Sequence, residues 1–179
     1  MKMDHTLETE RLILRCFEDD DLADHVAVLS NWDVTQWASN NIPFPYTEKD
    51  GAQYIKEARS EYAEGSSYRF AVIEKATGQF TGSIRLFSPQ NRESEVGYGL
   101  GPASWGKGYA TEALKALVEF ARAEGVIKEL QAQTSAKNEG SRRVLEKAGF
   151  LHRGEVPEEI SRCGHADGCS EFYTYSLAE

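Results

Sequence analysis

The stretch best suited to chemistry runs from Glu95 to Ala113, EVGYGLGPASWGKGYATEA, where an alternating segment passes through a glycine-rich turn into an Ala/Leu-rich helix. Gly106 and Gly108 remove side chains where the backbone turns into that helix. Several unpaired N–H groups can then face one anion at the positive end of the helix dipole. A pyrophosphate fits this description, and so does an ordinary tight strand-to-helix turn. Two other phosphate-binding patterns are missing. A Walker A loop needs Gly-Lys-Ser/Thr, whereas Lys107 is followed by Gly108-Tyr109. A dinucleotide fingerprint needs Gly-x-Gly-x-x-Gly early in a repeated βαβ pattern, which this chain lacks. Cys163, His165 and Cys169 invite a metal reading. Cys-x-His-x-x-x-Cys matches no common structural zinc spacing, however, and no fourth ligand is evident, so a polar hairpin turn without metal is expected there. His5, His25 and His152 read as bystanders.

The elements that must position this turn can be read from periodicity. Thr9 to Phe17 alternates Leu12 and Leu14 against Ile13 and Arg15 and reads as a strand. A helix is expected from Asp19 to Ser30, acidic in its first turn, with Leu22, Val26 and Leu29 on one face. Asn31 to Tyr46 is irregular and carries Trp32, Trp37, Phe44 and Tyr46. A second helix starts at a Thr47 cap and stops at Gly65. Tyr68 to Glu74 and Gln79 to Phe87 read as a hairpin, followed by a strand from Ser94 to Leu100. Beyond the glycine-rich turn come a helix from Tyr109 to Glu124, a strand near Leu130 to Thr134 and a helix from Glu139 to Ala148. Strands at Phe150 to Val156 and Glu171 to Leu177 close the chain. This order implies an α/β fold, a mixed and mostly antiparallel twisted sheet with helices on its faces.

Composition bounds the rest. A length of 179 residues with 40% hydrophobic content suits one compact domain, 1–179. No apolar run approaches the roughly 20 residues of a membrane helix and the first residues lack a signal-peptide core, so a cytoplasmic location with no membrane partner is expected. Three cysteines without export signals are expected to stay reduced. A net charge of -9 with no Lys/Arg run argues against nucleic acid as a partner. Whether the chain is a monomer or a homodimer stays open.

Trp105-Gly106-Lys107-Gly108-Tyr109-Ala110-Thr111-Glu112-Ala113-Leu114 resembles the acetyl-CoA pyrophosphate loop of GNAT superfamily N-acetyltransferases, particularly the Rim-type branch that acts on ribosomal-protein N-termini. Thr9 to Arg15 (TERLILR) resembles the opening strand of that branch, and Asn138 to Phe150 (NEGSRRVLEKAGF) its second cofactor motif. Trp105 stands where the general loop pattern has Gln or Arg, a departure familiar in the Rim-like branch. The resemblance implies the GNAT fold and acetyl-CoA as co-substrate. The cofactor would be held by Tyr98 and Leu100 on the strand, Trp105 through Thr111 on the loop, and Asn138 and Ser141. It also implies acetyl transfer to a primary amine by direct attack on the thioester, with a small-molecule or peptide amine as acceptor. Glu95 stands where similar enzymes carry the carboxylate base. The family's usual tyrosine acid is absent, because its position is Leu145, which leaves Ser141 as the hydroxyl for the CoA sulfur. Carbonyl polarisation is expected from a backbone N–H of a bulged strand around Gly97 to Leu100. An acyl-CoA-binding sensor without turnover is the alternative.

Overall fold

The computed structural model describes residues 5–39, 41–157 and 169–177. Its strands form one eight-stranded sheet in the order β1-β2-β3-β4-β5-β6-β8-β7. They are β1 (Leu7–Glu8), β2 (Leu12–Cys16), β3 (Ser67–Glu74), β4 (Phe80–Phe87), β5 (Glu93–Leu100), β6 (Glu129–Ser135), β7 (Leu151–Pro157) and β8 (Cys169–Ser176). The helices are α1 (Leu22–Leu29), α2 (Trp32–Thr35), α3 (Glu48–Glu64), α4 (Tyr109–Glu124) and α5 (Glu139–Ala148). Every strand pair is antiparallel except β5 with β6, which is parallel and is joined through α4.

Local chemistry sets the helix ends. Thr47 accepts from the Asp50 N–H while the Asp50 carboxylate accepts from the Thr47 N–H, and Gly65 ends α3 in the left-handed conformation. Asn31 caps α2, a single turn inside the segment read as wholly irregular; four residues are too few to show a helical period. The two-residue strand β1 likewise escapes periodicity. Alternation places side chains on opposite faces of each strand. Leu12, Leu14, Phe70, Val72, Ile84, Leu86, Val96 and Leu100 face one way and pack with Leu114, Leu117 and Ala121 of α4 and Leu145 of α5. Ala71 and Ile73 face the other way, with Phe17, Ile55 and Ala58 under α3. Helices therefore cover both faces. No helix among the described residues is long and apolar enough to cross a membrane.

The first helix differs from expectation on its inner face. Leu22, Val26 and Leu29 are only half-buried, and its one fully buried side chain is His25. The imidazole stacks on Tyr54, with ring centroids 4.5 Å apart, and its Nε2 lies 3.2 Å from the Tyr46 hydroxyl. Desolvation pushes its pKa down to about 4, Asp21 opposing and Arg69 adding to the shift.

Candidate active site

Parallel pairing of β5 with β6 lasts only from Glu93↔Glu129 to Glu95↔Gln131. Beyond it β5 stays on β4 as far as Leu100, while β6 stays on β8 as far as Ser135. The sheet thus splits between the second half of β5 and the second half of β6. The Gly101 N–H donates to Thr81 O of the β4 strand, 2.8 Å, so by alternation Val96, Tyr98 and Leu100 turn their amide groups away from β4 and toward the split. The Leu100 carbonyl on that edge accepts from the Trp105 indole N–H, 2.8 Å. Trp105 thereby braces the loop against the strand it leaves.

The bulge expected at Gly97 to Leu100 is not found. The β4–β5 register is unbroken from Gly82↔Leu100 to Leu86↔Val96, and Gly97 and Gly99 have no positive φ. The irregularity lies one strand over, where Val72 and Ile73 of β3 face Gly82 and Phe80 of β4 and leave Thr81 extra. Strand divergence, rather than a bulge, frees the amides of β5.

Between β5 and α4 a 3₁₀ turn at Pro102–Ser104 leads into the glycine-rich loop. Gly106 has φ +74 and Gly108, the residue before α4, has φ +81, a region that costs any residue with a Cβ. No described group accepts from the N–H groups of Gly106 through Thr111, and the first bond of the helix runs from the Glu112 N–H to the Gly108 carbonyl, 3.0 Å. Those amides stand unpaired at the positive end of a sixteen-residue helix. Gly106, Lys107, Gly108, Tyr109, Ala110 and Thr111 together form a cradle suited to phosphate.

A contact between distant segments holds the cradle. The Glu112 carboxylate accepts from the Thr9 hydroxyl (2.6 Å), the Arg11 N–H (2.8 Å) and Arg11 Nε (2.7 Å), while Arg11 Nη1 donates to the Lys107 carbonyl at 2.9 Å. Desolvation acts to raise the Glu112 carboxyl, but the bonds from Thr9 and Arg11 outweigh it and the net shift is downward. The opening TERL segment and the loop motif are therefore halves of one structural unit, which sequence spacing alone did not reveal.

On the other side of the split, Asn138 caps α5, its side-chain oxygen accepting from the Ser141 N–H at 3.1 Å. The Ser141 hydroxyl lies 2.9 Å from the Tyr98 hydroxyl, and Tyr98 also donates to the Ser141 carbonyl at 3.1 Å. Burial pushes the Tyr98 phenol well above its ordinary range, against a smaller pull from the Ser141 bond, so it remains an O–H donor at any working pH. Leu145 is buried in the core. Tyr98, read only as a cofactor contact, is thus joined to Ser141 in a hydroxyl pair.

Glu95 projects from the face of β5 opposite Val96 and Tyr98, apart from the Ser141 pair. Its carboxyl is pushed up by desolvation, with the Arg85 guanidinium pulling the other way. Arg85 Nε donates to Ser67 at 2.8 Å and its Nη2 to Glu61 at 3.1 Å. Val34 of α2 lies 4.0 Å from the point where a Cβ of Gly99 would stand, which places α2 on this face. Of the four aromatic residues in the segment before α3, Tyr46 is buried against His25, whereas Trp32 and Phe44 form an exposed edge-to-face pair 5.0 Å apart. His152 pairs with Glu171, outside this region. Cys163 and His165 lie outside the described residues, as does the Cys169 side chain; among the described residues no cluster of ligating side chains is placed to hold a metal ion.

The chain resembles known proteins in sequence and in fold. The curated protein named uncharacterized N-acetyltransferase p20, from Bacillus licheniformis, is 30% identical over 152 residues, which span 83% of this chain and 84% of that protein. The solved structure of Mycobacterium smegmatis RimJ in complex with CoA-disulfide superimposes with a TM-score of 0.84 at 18% identity, covering 98% of this chain and 88% of that one. A structure of RimL, a ribosomal L7/L12 alpha-N-protein acetyltransferase in complex with coenzyme A, gives a TM-score of 0.82 at 17% identity over 96% of this chain and 98% of the other. The family model for the acetyltransferase (GNAT) domain matches residues 11–151, and the chain belongs to that family of acetyltransferases.

Proposed function

We propose that this chain is an acetyl-CoA-dependent N-acetyltransferase that delivers acetyl to a primary amine by direct attack on the thioester. The observation that carries the reading is the meeting of two unpaired amide surfaces: the Gly106 to Thr111 cradle and the β5 edge at the split. The cradle would hold pyrophosphate, and the chain beyond it would lie in the split, capped by Asn138 at α5. When bound, acetyl-CoA supplies an activated acetyl group. The N–H groups of Tyr98 and Leu100 polarise the carbonyl. Glu95 takes the proton from the incoming amine, directly or through water, and its raised pKa suits that task. As the C–N bond forms and the C–S bond breaks, the Ser141 hydroxyl, hydrogen-bonded to Tyr98, would give its proton to the departing thiolate, which leaves as CoA thiol, and solvent would restore the serine proton.

The test is calorimetric binding of acetyl-CoA followed by thiol release measured against a panel of amines, N-terminal peptides and polyamines. Micromolar binding with acceptor-dependent thiol release is expected. Binding with no acceptor-dependent signal would favour the sensor reading, and absence of binding would overturn the assignment of the cradle.

A further inference from the structure

Glu95, Gly97 and Gly99 are successive positions on one face of β5, and two of the three carry no side chain. Backbone conformation does not require glycine at either, since neither has a positive φ and the strand is in regular register with β4. Their effect is spatial. Farther along this face, α1 presses on Gly101, where a Cβ would come within 3.2 Å of Val28, and α2 reaches over Gly99, where a Cβ would meet Val34 at 4.0 Å. At Gly97, among the described residues, no helix atom comes within 4 Å of a built Cβ. Among the described residues only the Phe87 ring approaches, at 3.4 and 3.9 Å from a built Cβ, and Arg85 stacks on that ring with its guanidinium carbon 4.0 Å from the centroid. Helices α1 and α2 therefore approach this face at Gly101 and Gly99, whereas at Gly97 the neighbour among the described residues is the Phe87 ring.

This part of the face lies where the proposed chemistry needs access. The carboxylate of Glu95 and the gap-facing N–H of Tyr98 bracket residue 97, so an amine passing from the base to the polarised carbonyl crosses Gly97. We infer that Gly97 is the floor of the acceptor entry, walled by the Phe87 ring, and that it selects a primary amine borne on an unbranched carbon over one borne on a branched carbon. The inference rests on the acetyltransferase reading above and adds the class of acceptor. Each added methyl at the nitrogen-bearing carbon, or at residue 97 itself, would compete for the same space beside the Phe87 ring.

The test uses glycinamide and valinamide as acceptors, with acetyl-CoA binding and melting temperature followed in parallel. The wild-type protein should favour glycinamide by about tenfold or more in kcat/KM, the scale on which a pocket discriminates a methylene or two. Gly97→Val should lower kcat/KM for glycinamide by about tenfold or more, acting chiefly through acceptor KM, with acetyl-CoA affinity unchanged. Gly97→Ala, which adds only the Cβ in contact with Phe87, should give a smaller loss in the same direction and serves if the valine variant fails to fold. Equal use of both amines by the wild-type protein, or an unchanged glycinamide kcat/KM in a folded variant, would overturn the inference while leaving the acetyltransferase reading intact. Absence of thiol release with every amine would overturn both.

Discussion

Gly108 offers a way to separate the strain of the loop from its proposed task. With φ +81 it lies where a Cβ costs about 1–2 kcal/mol, and the atom nearest a built Cβ is Arg11 Nη2, at an ordinary contact distance of 3.4 Å. Sterics with the rest of the protein therefore add little, and the backbone term dominates. For a chain of this length, Gly108→Ala should lower the melting temperature by about 2–8 °C. Asparagine tolerates the left-handed region far better, so Gly108→Asn should melt closer to the wild-type protein. The two variants should nevertheless agree in binding. Either side chain stands on the surface where the amides of Gly106 to Thr111 would close on pyrophosphate, and calorimetry should show a Kd for CoA raised by about tenfold or more, equivalent to about 1.4 kcal/mol. If Gly108→Asn keeps the wild-type Kd, the amides at α4 are not the seat of the phosphate. If affinity instead falls only in step with melting temperature across the two variants, the loop contributes through folding alone.

The remaining predictions concern the titrating and hydrogen-bonding groups. Glu95→Gln should reduce turnover by about 10²-fold or more, remove the acidic limb of the pH–rate profile and leave CoA affinity intact. The Glu95 side chain is exposed, so the glutamine variant should melt close to wild type, and full activity across pH would refute the base assignment. Tyr98→Phe and Ser141→Ala should each lower turnover more than they raise the KM for acetyl-CoA, with melting temperature falling by about 2–4 °C for the roughly 1 kcal/mol of a lost buried hydrogen bond. Unchanged turnover in both would reduce the pair to packing. His25 has a folded-state pKa of about 4 against 6.5 for the free side chain, so its neutral form stabilises the fold above pH 6.5 and that contribution is lost as pH falls toward 4. An NMR titration of its imidazole should show the midpoint near 4, and one near 6.5 would contradict its burial.

What was legible in the sequence follows from how local each cause is. Helix α3 could be bounded because its start is a Thr47–Asp50 capping box and its stop a left-handed Gly65, both decided within a few residues. The cradle could be read because positive φ at Gly106 and Gly108 demands a residue type that the sequence displays. The bond of Glu112 to Thr9 and Arg11 spans about a hundred positions, and the Tyr98–Ser141 pair joins a strand to a helix cap; no spacing rule connects them. His25 occupies a helix position that periodicity assigns to either face, and only its contacts with Tyr46 and Tyr54 show why it is inside. Gly97 and Gly99 were misread for a related reason. Glycine in a strand signals either an altered backbone or an omitted side chain, and the two part only when the register and the neighbouring elements are known.

The placement of these groups follows from a single parallel pair in an otherwise antiparallel sheet. An antiparallel neighbour of β5 could be reached by a tight hairpin, but a parallel one requires a crossover, and here that crossover is α4. A crossover helix must begin at the C-terminal end of the strand it leaves. The positive end of α4 therefore lies beside the last residues of β5, where divergence from β6 exposes the amide edge of Tyr98 and Leu100. The proposed seats for an anion and for a polarised carbonyl become adjacent by topology, before any particular side chain is chosen. Strand alternation then sends Glu95 to one face and Tyr98, with its link to Ser141, to the other. The proposed base and hydroxyl donor are thus set on opposite faces of one strand, an arrangement suited to a reaction that accepts a proton at nitrogen and donates one at sulfur.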